Sequence, residues 1–136
     1  MQKKYVYIAV IVVGIILLML SINSSTSKSS LSGWYSFEEG LRISKKENKP
    51  MFVFISSPNC PFCAKVRDEV LSDHEVEEYI KKNYVPVYID VGKEKSPIRV
   101  FAYPAFVIIY NDKIVDAWGG YASKELFLQK LKSVKI

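Results

Sequence analysis

The sequence predicts an α/β domain with four strands and flanking helices, joined to one N-terminal transmembrane helix. Three observations carry this prediction. Residues 5–22 are apolar and uncharged, and four short apolar segments of strand length lie among segments of helical periodicity in the rest of the chain. The only two cysteines, Cys60 and Cys63, follow closely after the first of these short apolar segments. A strand that delivers a C-x-x-C pair to the start of a helix is typical of redox-active dithiols.

The N-terminal apolar segment, residues 5–22, is long enough to cross a bilayer as a helix. Lys3 and Lys4 precede it, so the positive-inside rule predicts a cytoplasmic N-terminus and a domain on the periplasmic or extracellular side. A cleaved signal peptide is the alternative. The segment is longer than the apolar part of a signal peptide, and no A-x-A pattern follows it, which favours an uncleaved signal anchor. In both interpretations the domain is exported to a compartment where disulfides can persist.

The predicted domain organisation has three parts: a signal anchor over 1–22, a serine-rich linker over 23–33 and one compact domain over 34–136. Residues 21–32 contain seven serines, a composition that predicts a flexible tether and no core. Leaving out Lys3, Lys4 and Lys28 reduces the 19 basic residues to 16, against 14 acidic ones, so the domain has a net charge of only +2. This balance, without a basic cluster among aromatic residues, argues against a nucleic-acid partner.

Local patterns predict the elements of the domain. The first half of the domain is predicted to contain a helix over about 37–47 with Ser36 as its cap, a strand over 51–57, and a helix from Pro61 to about Leu71. A helix over about 72–82 follows, beginning at a Ser72/Glu75 capping box. The second half is predicted to contain strands over 84–90, 105–110 and 114–118 and a last helix capped by Ser123. Cys63, Val66 and Val70 recur at helical spacing and are expected to face inward. The predicted core face of the last helix is Leu126, Phe127, Leu131 and Val134. Pro86 predicts an edge or a bulge in the second strand.

The cysteine pair allows several interpretations. A thiol at a helix N-terminus is favoured as thiolate, the species that attacks disulfides. Pro61 suits the first position of a helix and so places Cys60 at the N-cap with its sulfur exposed. The alternatives are a purely structural disulfide, a Cu(I) site built from two soft thiolates, and a zinc site. Zinc would need ligands beyond two cysteines and the single histidine, His74, which we expect to face solvent.

The order of elements, with the stretches FVFISSPNCPFC, LSDHEVEEYI, YVPVYIDV and YPAFVIIYNDKIV, resembles the thioredoxin-like family over residues 34–136. The resemblance implies a central mixed four-stranded sheet flanked by helices, with a cis peptide bond before Pro104 beside the cysteines. It also implies roles for the site residues: Cys60 as nucleophile, Cys63 as resolving thiol, Pro104 in substrate positioning, and Pro61, Phe62 and Tyr103 in substrate contact.

The sequence departs from thioredoxin itself at the internal acid. Phe54 stands where thioredoxin has a buried acid, and alignment places the partner lysine position at Pro86. Another group, or water, must then take the proton of Cys63. The candidate carboxylates are Glu38, Glu39, Asp68 and Glu69, each of which also fits a solvated surface charge.

The expected reaction is thiol–disulfide exchange with no cofactor beyond the Cys60–Cys63 disulfide and no metal. Phe62 cannot stabilise a thiolate electrostatically, which favours a reductant, with a disulfide-forming oxidant of the same fold as the alternative. A Cu(I)-binding metallochaperone and a non-catalytic binding module with a structural disulfide are the alternatives from other classes. The expected partners are exported disulfide-containing or thiol proteins, a membrane thiol-electron carrier, and the membrane itself through residues 5–22.

Overall fold

The structure, a computed structural model, describes residues 2–21 and 31–136. Its elements are α1 (Gln2–Ser21), α2 (Phe37–Glu47), β1 (Met51–Ser56), α3 (Pro61–Lys65) with a π-helical continuation over Val66–Leu71, α4 (His74–Asn83), β2 (Val85–Asp90), β3 (Ala105–Tyr110), β4 (Lys113–Gly119) and α5 (Lys124–Ser133). The predicted thioredoxin-like arrangement of four strands among helices is confirmed.

The four strands form one mixed sheet in the order β2-β1-β3-β4. β1 is parallel to β2 and antiparallel to β3, and β3 pairs with β4 as an antiparallel hairpin. All six residues of β1 are buried, as expected for a central strand covered on both faces. β2 lies at the edge, as Pro86 predicts, and the carbonyl of Pro86 accepts a hydrogen bond from the Tyr35 N–H at 3.0 Å.

An aromatic core lies on one face of the sheet. Four rings stand side by side across all four strands, and we call them the aromatic row: Tyr88, Phe54, Phe106 and Trp118. Successive ring centroids are 5.2, 5.5 and 5.6 Å apart. Cys63 and Val66 belong to the same buried cluster, so the helix that carries the cysteines packs onto this face. The row therefore provides a rigid apolar layer beneath the cysteine pair.

The opposite face of the sheet is aliphatic and packs against α2. Met51, Val53 and Val87 are buried there, with Phe37 and Leu41 of α2 against them. Gly40 is required at the closest approach, because a Cβ at this position would clash with the Val87 side chain. The alternation of aromatic and aliphatic residues along β1 thus separates the core into two chemically different layers.

The helices agree with the predictions in extent and differ in two details. The predicted Ser72 cap is wrong: Asp73 caps α4 by accepting hydrogen bonds from the N–H groups of Glu75 and Val76. The Ser72 hydroxyl instead donates to the Arg67 carbonyl and closes the preceding helix. Both residue types suit an N-cap, so the pattern left a one-residue ambiguity.

The predicted core face of α5 is wrong at one position. Leu126 is 59% exposed, whereas Phe127, Leu128 and Leu131 are buried. Three consecutive apolar residues cover about 200° of a helix and cannot all face one sheet. The choice of Phe127 and Leu128 follows from packing against the aromatic core.

The domain begins earlier than predicted. Leu31, which the sequence assigns to the linker, is only 4% exposed and joins the aromatic core. Lys81 donates a hydrogen bond to the Ser32 carbonyl, and Tyr35 forms a parallel bridge with Val87 at the outer edge of β2. Residues 23–30 of the predicted linker lie outside the described residues.

Among the described helices, α1 alone is long and apolar enough to cross a membrane by length and composition. Its apolar part spans Gln2–Met19 with a mean hydropathy of 1.8. An N-terminal signal sequence meets the same criterion, so this helix is consistent with both a signal anchor and a cleaved signal peptide.

Tyr84 connects α4, β2 and α5 and gives the domain a measurable alkaline transition. The residue is 3% exposed, and its hydroxyl donates to the Leu131 carbonyl at 3.3 Å. Burial, with smaller contributions from Tyr79 and Asp116, raises the pKa of Tyr84 to about 12. The unfolded chain releases this proton near the ordinary tyrosine pKa of about 10, while the folded protein retains it.

The stabilising contribution of Tyr84 is therefore present below pH 10 and is lost as the pH rises from about 10 to 12. We expect Tyr84→Phe to lower the free energy of unfolding by about 1 kcal/mol at pH 7. Over the alkaline interval, the stability of the variant should fall less steeply than that of the wild type, by about 1.4 kcal/mol per pH unit. Urea denaturation at several pH values measures both effects. If the free energies of unfolding of the wild type and the variant fell in parallel above pH 10, the raised pKa of Tyr84 would be contradicted.

Candidate active site

The cysteine pair lies at the junction between β1 and α3. A tight turn through Asn59, whose φ of 57° is in the left-handed region, connects the strand to the helix. Cys60 occupies the N-cap of α3 in an extended conformation, and Pro61 occupies the first helical turn. The Cys60 sulfur accepts a hydrogen bond from the Cys63 N–H at 3.2 Å. This geometry gives Cys60 the environment that favours a thiolate.

Cys60 and Cys63 are joined by a disulfide, and their Cα atoms are 5.2 Å apart. The two cysteines differ in exposure: Cys60 is half-buried, whereas Cys63 is 2% exposed and packs within the aromatic core. Cys60 is therefore the residue of the pair that is open to an attacking partner.

Pro104 lies beside the cysteine-bearing end of β1. The Tyr103–Pro104 peptide bond is cis, as predicted. Pro104 is buried and immediately precedes Ala105, which pairs with Ile55, one position before the end of β1. Its carbonyl accepts a hydrogen bond from the Gly120 N–H at 2.9 Å. The loop before β3 is thereby fixed to the end of β4.

Apolar side chains surround this end of the sheet. Phe62 is 58% exposed and Tyr103 is 38% exposed, consistent with their predicted availability for contact. Phe101, two residues before Tyr103, is fully exposed. Phe101 was not among the predicted contact residues, although an aromatic residue in a polar segment close to Tyr103 indicates an exposed contact site.

A cavity of about 550 Å³ opens beside the disulfide. Cys60 and Cys63 line it together with Ser56, Arg67, Tyr88 and Asp90. Ser56 is 3% exposed, and its hydroxyl lies 2.8 Å from the hydroxyl of Tyr88. These polar residues were not predicted as site residues, because Ser56 and Tyr88 are adjacent only through the pairing of β1 with β2.

The register of β1 and β2 shows which residue stands next to Phe54. Phe54 pairs with Tyr88, and Pro86 pairs with Phe52. Pro86, where alignment places the partner lysine, is two residues before the strand partner of Phe54. Tyr88 stacks on Phe54 with ring centroids 5.2 Å apart and brings a hydroxyl group to this part of the core.

The four predicted carboxylates do not line this cavity. Asp68 forms an ion pair with Arg67 at 3.2 Å. Glu39 forms an ion pair with Arg42, whose hydrogen bond lowers the pKa of that carboxyl. Glu69 accepts a hydrogen bond from the Tyr121 hydroxyl at 3.0 Å, and this bond raises the pKa of Tyr121. Glu38 is exposed on α2.

His74 faces solvent, as expected, with 93% of its side chain exposed and Glu78 at 3.7 Å. Within residues 2–21 and 31–136, no group of three or more His, Cys, Asp or Glu side chains is arranged to hold a metal ion. Two thiols alone would therefore have to provide any metal site at this location.

A thioredoxin-like fold with a half-exposed and a buried cysteine in a CXXC pair supports thiol–disulfide oxidoreductase chemistry. The chain belongs to the thioredoxin-like domain family, whose model matches residues 37–135.

Three known proteins are similar to this chain in sequence or in fold. An uncharacterised protein of Archaeoglobus fulgidus is 39% identical over 103 residues, which cover 76% of this chain and 80% of the relative. A thioredoxin from Thermus thermophilus has a similar structure, with a TM-score of 0.64 and 24% identity over 73% of this chain and 83% of the other. A structure described as the DsbH oxidoreductase also gives a TM-score of 0.64, with 22% identity over 82% and 91% of the two chains. At these identities the two structures show the fold alone.

Proposed function

We propose that this protein is an extracytoplasmic, membrane-tethered thiol–disulfide oxidoreductase that reduces substrate disulfides through Cys60 and Cys63. The observation that carries the proposal is the pair itself: a half-buried Cys60 at the N-cap of α3, linked to a buried Cys63. The difference in exposure supports Cys60 as the nucleophile and Cys63 as the resolving thiol.

The reaction proceeds in two exchanges. In the reduced protein the Cys60 thiolate attacks one sulfur of a substrate disulfide, a mixed disulfide forms, and the other substrate sulfur leaves as a thiolate. Cys63 then loses its proton and attacks the Cys60 sulfur, which forms the Cys60–Cys63 disulfide and releases the second substrate thiolate. Two electrons pass from the protein dithiol to the substrate. A dithiol carrier must then reduce the Cys60–Cys63 disulfide again.

The surroundings of the disulfide support binding of an extended polypeptide. No hydrogen bond joins the backbone of Tyr103 to another described residue, so its N–H and C=O are available for pairing with a substrate strand. Tyr103 and Pro104 immediately precede Ala105, which pairs with Ile55 near the end of β1 that leads to Cys60. The exposed side chains of Phe62 and Tyr103, with Pro61 between the cysteines, provide apolar contacts for the substrate.

The proposed direction depends on the residue between the cysteines. Phe62 is apolar and provides no charge to stabilise a Cys60 thiolate, and a less stabilised thiolate makes the dithiol more reducing. A reductant outside the cytoplasm needs electrons from a membrane thiol carrier. An anchor formed by α1, with Lys3 and Lys4 on its cytoplasmic side, would keep the domain near such a carrier.

The reduction potential of the full-length protein, equilibrated with glutathione in detergent, tests this proposal. Alkylation of Cys60 is followed across pH in the same samples. We expect a potential near that of thioredoxin, about −270 mV, and rapid labelling of Cys60. A potential near −120 mV, roughly that of strong oxidants, would reverse the direction. A pair that neither exchanges nor labels would contradict the enzyme assignment and would make Cu(I) binding the next measurement.

A further inference from the structure

The second exchange of the proposed reaction requires a proton to leave Cys63. Cys63 is 2% exposed, and its thiol must lose a proton before it can attack the mixed disulfide. Within the aromatic row, Phe54, Phe106 and Trp118 have no group that accepts a proton from a thiol, and Tyr88 alone carries a hydroxyl. The proton must therefore leave through the polar cavity beside the disulfide.

The cavity contains a connected pair of hydroxyl groups. Ser56 stands at the last position of β1, is almost fully buried, and forms its hydrogen bond with the Tyr88 hydroxyl at 2.8 Å. Each hydroxyl can donate one hydrogen and accept others, so such a pair can accept a proton at one end and release one at the other. Both residues line the same cavity as Cys63.

A carboxylate lies opposite Ser56 on the neighbouring strand, where Asp90 is its register partner. Asp90, two residues after Tyr88 on β2, also lines the cavity, and its side chain is 22% exposed. One of its oxygens accepts a hydrogen bond from the Gly92 N–H at 2.9 Å, and the other lies 4.0 Å from the Lys93 ammonium group. Among the described residues that line the cavity, Asp90 is the one carboxylate.

We propose that the hydroxyls of Ser56 and Tyr88 transfer the proton of Cys63 to Asp90 during resolution of the mixed disulfide. This inference rests on the proposed function. The Cys63 S–H bond breaks, its proton moves along the two hydroxyls to Asp90 and then to water, and the remaining electron pair forms the bond to the Cys60 sulfur. The sulfur–sulfur bond to the substrate breaks, and its electron pair leaves with the substrate thiolate.

Arg67 has an electrostatic role in the same cavity. The charged or titratable groups of the cavity and their ion-pair partners are Cys60, Arg67, Asp68, Tyr88, Asp90 and Lys93. Arg67 is the cation that lines the cavity itself and favours a thiolate there, while its ion pair with Asp68 at 3.2 Å offsets part of its charge. The pair of hydroxyls removes the proton, and the guanidinium stabilises the resulting charge.

A two-phase reaction with 5,5′-dithiobis(2-nitrobenzoate) tests the proposal on the full-length protein, reduced and held in detergent. The first thionitrobenzoate is released when Cys60 attacks, and the second when Cys63 resolves the mixed disulfide. The released group needs no proton, so the second phase reports how readily Cys63 is deprotonated. Tyr88→Phe retains the stacked ring and removes only the hydroxyl.

We expect Tyr88→Phe to slow the second phase at pH 7 by about tenfold or more and to leave the first phase within about twofold of the wild type. The pH profile of the second phase should move to higher pH, since hydroxide must replace the internal route. Ser56→Ala and Asp90→Asn should slow the same phase. Tyr110→Phe removes a hydroxyl bonded to Asn48 at 3.0 Å, outside the cavity, and should change neither phase.

An unchanged second phase and pH profile in Tyr88→Phe and Ser56→Ala would overturn the proton route. Equal slowing of both phases would also overturn it, because that result indicates a structural effect on the cysteine pair. Failure of the proposed function is a different observation, in which the wild-type protein itself releases fewer than two thionitrobenzoate equivalents.

Discussion

Serine in place of Cys60 is expected to reduce disulfide-reducing turnover by on the order of 10³-fold or more. The half-buried Cys60 sulfur is the one that a substrate can reach, and a serine hydroxyl remains protonated and unreactive toward disulfides. Reduction of insulin disulfides by the full-length protein, with excess dithiothreitol as electron source, measures the loss.

Cys63→Ser is the matched control, because it removes the same disulfide and leaves Cys60 in place. This variant should complete the first exchange and then accumulate a mixed disulfide with its substrate, visible by mass spectrometry and cleaved by reductant. Both variants lose the Cys60–Cys63 bond, so any difference between them reports the chemistry of the two thiols. Equal reactivity of the two variants toward substrate would refute the assignment of nucleophile and resolving thiol.

Alanine in place of Phe106 should have the largest effect on stability, a loss of about 3–5 kcal/mol in the free energy of unfolding. Phe106 is fully buried at the centre of the aromatic core. Its ring lies 5.5 Å from Phe54, 5.6 Å from Trp118 and 5.1 Å from Phe127. Truncation would leave a cavity between the sheet and α5 that these rigid rings cannot fill. Domains of this size are typically stable by about 5–15 kcal/mol, so the loss is a large fraction of the total.

Guanidinium denaturation of oxidised full-length protein, followed by tryptophan fluorescence, measures this change. Ile114→Ala is the control on the neighbouring strand, because Ile114 is 60% exposed and its truncation should cost no more than about 0.5 kcal/mol. A loss below about 1 kcal/mol for Phe106→Ala would show that the core can close around the missing ring, and would contradict the rigid packing described above.

The sequence predicted those elements whose signals are local. β1 and β3 are continuous apolar segments, and α2 begins at a serine cap and ends at a left-handed Asn48, so the chemistry of a few adjacent residues defines each element. The errors arose where two choices are locally equivalent. Ser72 and Asp73 are both good caps, and Leu126 and Leu128 are equally apolar. Packing and hydrogen bonding in the folded domain decided between them.

The residues of the candidate site were likewise predictable only where their sequence signal is local. Cys60 and Cys63 are recognisable by their spacing, and Pro104 by its place before β3. The hydroxyl pair was not, because Ser56 and Tyr88 are 32 positions apart and meet only through the parallel register of β1 and β2. Two of the candidate bases chosen from the sequence, Asp68 and Glu69, are near the cysteines along the chain, and the other two, Glu38 and Glu39, lie on α2. Asp90, which lines the cavity, is distant in sequence and close in space.

The chain enters the domain at the end of the sheet opposite to the redox centre. Leu31 and Ser32 lie near Lys81, at the end of the sheet where β2 begins, and Tyr35 continues along β2 in the direction of the cysteines. The disulfide follows the opposite end of β1, about 20 Å away for a six-residue strand. If α1 is embedded in a bilayer, the disulfide lies at the end of the domain farthest from the point where the predicted tether joins it. Exported substrates then approach the disulfide from the side away from that point, and a carrier within the membrane reaches it when the predicted flexible tether lets the domain turn.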